Sequence, residues 1–218
     1  MSLALVASGV LLGCTTVGVP TSQQQAFDYG PPMQLRVCVL RTDGVSPERV
    51  DKLIAAVNSE FQPYGIEVVV PWVRPWKRTS FTHATMVEDV VGRELEAPCD
   101  RLIGFVDRNV GDFLWGLVMP EVLGSVEDTT HTRGYVVATQ VSFNQLFSSP
   151  AKTTIHEFYH LLGCPHARAM TNCYSRIAAL KRHRKHDADF FPGVSAHGRF
   201  LVTREEANGE LRLAVARR

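Results

Sequence analysis

The chain has 218 residues, is 45% hydrophobic and 21% charged, and carries a formal charge of +1. That length suits one ordinary domain with a small appendage, and such a chain buries roughly 70% of its unfolded surface without needing a staple. The composition excludes a disordered chain and a globally basic nucleic-acid binder, and no apolar run reaches the ~18 residues of an ordinary transmembrane helix.

The near-neutral total hides a step. Residues 1–167 hold 12 Lys and Arg against 17 Asp and Glu, a net of −5, whereas residues 168–218 hold 11 against 5, a net of +6. The chain changes character near residue 167.

Residues 1–14, MSLALVASGVLLGC, open with an apolar run from Leu3 to Leu12. The run is too short to span a bilayer and suits the core of a signal peptide. It ends in Leu11-Leu12-Gly13-Cys14, which resembles a bacterial lipobox with Cys14 as the lipidated residue. Residues 15–34 are polar and rich in Pro and Gly, and read as a tether. The expected location is the cell envelope, lipid-anchored at the outer membrane or cell surface, with secretion as the alternative.

The fold proper is expected from residue 35. Leu35–Leu40 reads as a strand. Ser46 caps a helix that starts at Pro47, and Val50, Leu53, Ile54, Val57 and Phe61 recur on one face. Gly65 ends that helix, and Ile66–Val70 reads as a second strand. Residues 71–82 are too interrupted by proline for regular structure, and 83–96 suit a short helix. Leu102–Val106, Phe113–Met119 and Tyr135–Thr139 read as further strands, with a polar loop over 124–133. Lys152–Leu162 reads as a helix stopped by Gly163 and Pro165. The order predicts an α/β (α+β) fold, a twisted mixed five-stranded sheet backed by helices.

There are five cysteines: Cys14, Cys38, Cys99, Cys164 and Cys173. Setting Cys14 aside as the lipid site leaves four, enough for two disulfides in an oxidising compartment. Cys164 and Cys173 are close in sequence and pair first, and Cys38 with Cys99 follows by elimination. Four cysteines allow three connectivities.

The chemistry concentrates in residues 156–166, H-E-F-Y-H-L-L-G-C-P-H. His156 and His160 are four apart, so a helix puts both imidazoles on one face, one turn apart. That spacing suits two nitrogen ligands of one zinc ion. Gly163 tolerates positive φ, and a turn there returns His166 as a third nitrogen ligand. Three protein ligands leave one position open for water, the pattern of a catalytic zinc. Glu157, beside the first ligand, can reach that water as general base. Chance expectation for the five fixed positions is on the order of 4 × 10⁻⁵ from this chain's own residue frequencies, so the match is specific.

HExxHxxGxxH is the signature of the metzincin zinc metallopeptidases, which this chain resembles at His156, Glu157, His160, Gly163 and His166. The order of strands before the helix is also similar to the archaemetzincins, without the cysteine cluster of their second zinc. The resemblance implies a Met-turn, for which Met170 is the one downstream methionine. It implies an upper catalytic subdomain over 35–166 and a small, mainly helical lower subdomain over 167–218, meeting where the charge step falls. It further implies an edge strand that pairs with an extended peptide, for which Trp115, Gly116 and Leu117 are the candidates. Tyr174 is near the Met-turn but at a different offset from the tyrosine some metzincins use.

Residues 174–186 read as a helix ending in Lys181-Arg182-His183-Arg184-Lys185-His186, a solvated basic face where cations suit the helix C-terminus. A sharper reading of that stretch is contact with an anionic surface or an acidic substrate. His83, His131, His183, His186 and His197 are expected as scattered surface histidines. The functional expectation is a zinc-dependent endopeptidase with one catalytic Zn²⁺, acting on peptide or protein as a monomer, without nucleic acid, and touching membrane only through a lipid anchor. The alternatives are a non-catalytic zinc-containing envelope lipoprotein that binds a partner, and a zinc amidase acting on peptidoglycan.

Overall fold

The computed structural model describes residues 17–78, 82–108, 122–139, 149–184 and 189–216. Cys14 with the signal segment, the candidate edge strand Trp115, Gly116 and Leu117, and His186 lie outside the described residues. Among the described residues no helix is long and apolar enough to cross a membrane.

Strand β1 (Met33–Arg41) organises the sheet. It pairs in parallel with β2 (Ile66–Val69), β3 (Val73–Pro75) and β4 (Arg101–Val106). β4 pairs in parallel with β6 (Arg133–Val137), and β5 (Gly124–Val126) closes the edge antiparallel to β6. The sheet is therefore mixed and mostly parallel, in the order β2-β1-β4-β6-β5 with β3 also on β1. Side chains alternate along β1: Leu35, Val37 and Val39 enter one core, Cys38 and Leu40 the other. A largely parallel sheet needs cover on both faces, and both are covered here.

Helices α1 (Pro47–Phe61), α3 (Pro150–Leu161) and α4 (Thr171–His183) cover the first face. Helix α2 (His83–Val91) and the segment around α5 (Arg204–Val215) cover the second. Ser46 accepts from Arg49 N–H with Pro47 in the first turn, as its sequence predicts. Ser149 and Pro150 start α3 the same way, two residues ahead of the expected Lys152. A small hairpin, β7 (Gly193–Val194) with β8 (Phe200–Leu201), lies between α4 and α5.

Three expectations are corrected. Among the described residues the sheet has six strands, two of which, β3 and β5, form inside segments read as loops, while the expected strand Phe113–Met119 lies outside those residues. Prolines do not bar β3 from an outer position where few donors are needed, and β5 forms on the open side of β6 despite its Gly-Ser start. Residues 17–32, expected as a tether, lie against the body. Val17 is 1% exposed, Val19 bridges Ala169 in parallel, and Phe27 and Tyr29 pack among Tyr64 and Tyr174. Tyr174 is thus a core residue, its hydroxyl accepting from Thr21 N–H at 3.2 Å. Lys181, read as part of a solvated face, is buried and donates to the Tyr64 and Gly65 carbonyls at 2.6 and 3.1 Å. A cation suits that spot because those carbonyls end the α1 segment.

Both disulfides take the expected pairing, Cys38–Cys99 and Cys164–Cys173, with Cα separations of 5.5 and 4.7 Å. Each lies within the usual range for a bridge.

Candidate metal centre

The site is built on the C-terminal half of α3. Its last turn closes as a Schellman motif: Gly163 N–H donates to His160 O at 2.8 Å and Cys164 N–H to Tyr159 O at 3.0 Å. That closure needs a left-handed residue, and Gly163 supplies φ +71°. The reversal brings His166 back over the helix. The Nε2 atoms of His156, His160 and His166 then converge, 3.0, 3.1 and 3.1 Å apart.

The donor set fits a zinc ion. Tetrahedral coordination at 2.0–2.1 Å places ligand nitrogens about 3.3–3.4 Å apart, so the triangle needs only a slight opening. His160 Nδ1 lies 2.7 Å from the Cys164 carbonyl, which can only accept. The proton is therefore on Nδ1, and the Nε2 lone pair faces the centre. Burial pushes the His156 and His160 imidazoles down to about 4, so both are neutral ligands at neutral pH. A cation among the three Nε2 atoms would be bound by all of them. This is the one cluster of metal-ligating side chains among the described residues.

Glu157, 4% exposed, lies on the neighbouring face of α3 and is walled by β5. A Cβ at Gly124 would stand 2.7 Å from Glu157 Cγ and 2.8 Å from Oε1, so only glycine leaves this carboxylate its place. Burial pushes the Glu157 carboxyl up to about 8. A dication beside it acts in the opposite direction. Tyr135 sits behind, its hydroxyl 2.8 Å from His83 Nδ1, and burial raises its pKa with the Glu157 charge adding to the effect.

The surroundings are held by buried charges that sequence reasoning missed. Arg101, fully buried, donates to the carbonyls of Leu161 at the end of α3, Asp100, Phe191 and Pro192. Glu127 accepts from Thr129, Thr130 and Thr132 N–H at 2.8–2.9 Å and fixes the β5–β6 loop. That loop carries His131 at φ +56°, its Nδ1 2.9 Å from Val194 O and its ring within electrostatic reach of His160. His131 is therefore not the scattered surface histidine expected. His183 and His83 are exposed, as expected, the former with its ring stacked on Phe200 at 3.8 Å and the latter bonded to the Tyr135 hydroxyl.

Met170 is buried at the start of α4, its N–H donating to Val19 O at 3.1 Å. The antiparallel edge strand among the described residues is β5, and Gly124 is the residue of it that meets Glu157. Its signal in the sequence was a glycine inside a polar run, too slight to find it.

No family model matches the sequence, and no curated protein matches it. Among solved structures the fold is similar to an archaemetzincin from Methanopyrus kandleri, at a TM-score of 0.43 and 14% identity, over 68% of this chain and 94% of that one.

Proposed function

We propose that the protein is a zinc metallopeptidase that cleaves peptide bonds, with His156, His160 and His166 holding the ion. One observation carries the reading: three imidazole nitrogens converge within 3.1 Å beside a buried carboxylate that holds no structural ion pair among the described residues. A purely structural site has no use for that carboxylate. When bound, zinc supplies Lewis acidity toward the scissile carbonyl. Glu157 takes the proton of the attacking water and passes it to the leaving amine, a role worth about 10²–10⁴-fold in rate. Among the described residues β5 is the edge against which an extended peptide would align by backbone hydrogen bonds; the candidate segment Trp115, Gly116 and Leu117 lies outside them. Met170 is the methionine of the turn below the ligands in this reading.

Export fits the same picture. Two disulfides support an oxidising compartment, and Cys14 is the proposed anchor. The test is metal content and cleavage of an unfolded protein by the wild type and by Glu157→Gln. The variant is expected to keep stoichiometric zinc and lose nearly all activity. A wild type that binds zinc and cleaves nothing refutes the peptidase reading. Mass spectrometry that finds residues 1–13 retained and Cys14 unmodified refutes the anchor.

A further inference from the structure

We infer that oxidation of Cys164 and Cys173 completes the metal site, so that the triad takes up its ion tightly only in the disulfide-bonded protein. The inference rests on the zinc reading above. His156 and His160 are fixed by α3, but His166 stands on the connection between α3 and α4 and is exposed. How tightly a third nitrogen is held therefore depends on how that connection is closed.

The disulfide closes it at both ends. Cys164 follows the glycine that ends α3, and its carbonyl is the acceptor that orients His160. Cys173 lies in the first turn of α4, whose Tyr174 and Ile177 are locked in the core. The bridge spans nine positions and encloses both His166 and Met170. One covalent bond thus restrains the loop of the third ligand and the carbonyl partner of the second. On the far side, among the described residues, the loop is held by the backbone bonds of Val17 and Val19 to residues 167–170 and by Met170 in the core. Without the bridge, ion binding must also order that loop.

The chemistry is thiol–disulfide exchange. The two thiols lose two protons and two electrons, and a small disulfide or an oxidoreductase of that class is reduced to two thiols. Both cysteines are 1% exposed once the protein is folded, so the bond is shielded from later attack. Oxidation then acts as an assembly step: the chain is a poor metalloprotein where thiols stay reduced and a competent one where they do not. Cys38–Cys99 lies in the core on the opposite face of the sheet and serves as the internal control.

The experiment compares full-length wild type, Cys164→Ser with Cys173→Ser, and Cys38→Ser with Cys99→Ser. Zinc affinity of each metal-free protein is read by competition with a chromophoric chelator, and amide hydrogen exchange is measured beside it. The first pair of substitutions is expected to weaken zinc binding on the order of 10–100-fold, with faster exchange confined to 164–173. The second pair is expected to bind within about threefold of wild type. Equal affinity of the first variant and wild type overturns the inference, as does an equal loss in the second. Collapse of sheet protection in the first variant also overturns it, since the bridge is then a general staple. A wild type that binds no zinc refutes the metal reading itself, a result distinct from these.

Discussion

Gly124→Ala tests how Glu157 is positioned. The new Cβ would stand 2.7 Å from Glu157 Cγ, 2.8 Å from Oε1 and 2.9 Å from Cδ. Relaxed carbon contacts lie near 3.5–4.0 Å, so something must give by roughly 1 Å. The strand is the stiffer party: Gly124 is in register with Val136, and Val137 N–H donates to Leu123 O at 2.8 Å. The Glu157 side chain therefore yields. A 1 Å displacement of a reacting group costs about 10²-fold, within the 10²–10⁴-fold a general base supplies. The expectation is a fall in kcat of about 10²-fold, equivalent to ~2.7 kcal/mol of barrier, with zinc content unchanged because the imidazoles are untouched. Steady-state kinetics on a fluorogenic peptide, with metal analysis of the same samples, reads it. A folded, zinc-loaded Gly124→Ala protein with wild-type kcat would show that the carboxylate is not held by this wall.

Gly209 lies within α5 with open space around its Cα, so Gly209→Ala should add about 0.5–1 kcal/mol and raise Tm by roughly 2–4 °C without changing kcat, as thermal melts and kinetics would show. Arg101→Leu strips four carbonyls of their donor in the core and should cost about 3 kcal/mol or more in urea unfolding; a loss under about 1 kcal/mol would contradict the clamp role. Hydrogen bonding from Arg36 holds the Asp189 carboxyl below its usual range, with burial acting weakly the other way. A depressed carboxylate contributes stability above its unfolded pKa of about 3.9, and that contribution is lost as pH falls through the folded value. Asp189→Asn should therefore cost under about 1 kcal/mol at neutral pH, since the group is largely exposed, and the gap from wild type should close in acid. A gap that widens in acid has the wrong sign.

The parts legible in the sequence are those fixed by local spacing. His156, His160 and Gly163 sit on one helix and its cap, where periodicity and a single φ decide the geometry. The buried strands 35–40 and 102–106 carried their own apolar signal, and both disulfides followed from counting. What stayed hidden was set by partners far away in sequence. Gly124-Ser125-Val126 has little strand signal beyond Val126 and becomes a strand by pairing with β6. Val17 reads as part of a polar tail until residues 167–170 are in place to bond it. Lys181 reads as part of a solvated face, and Arg101 and Glu127 carry no distinguishing signal; only the fold reveals the carbonyls and amides that satisfy them. Helix α5, TREEANGELRLAV from its cap onward, is mostly polar and gave too faint a stripe to be seen.

The seating of Val17 and Val19 also has a mechanical meaning. Tension applied to the chain ahead of residue 17 does not reach the sheet first. It passes through the hydrogen bonds of Val17 and Val19 into residues 167–170, between the third histidine and α4. Those bonds would be loaded before any strand pair, and their release would leave the His166 loop held by its disulfide and by Met170 in the core. A device that grips this protein by its leading segment thereby holds it by the metal centre.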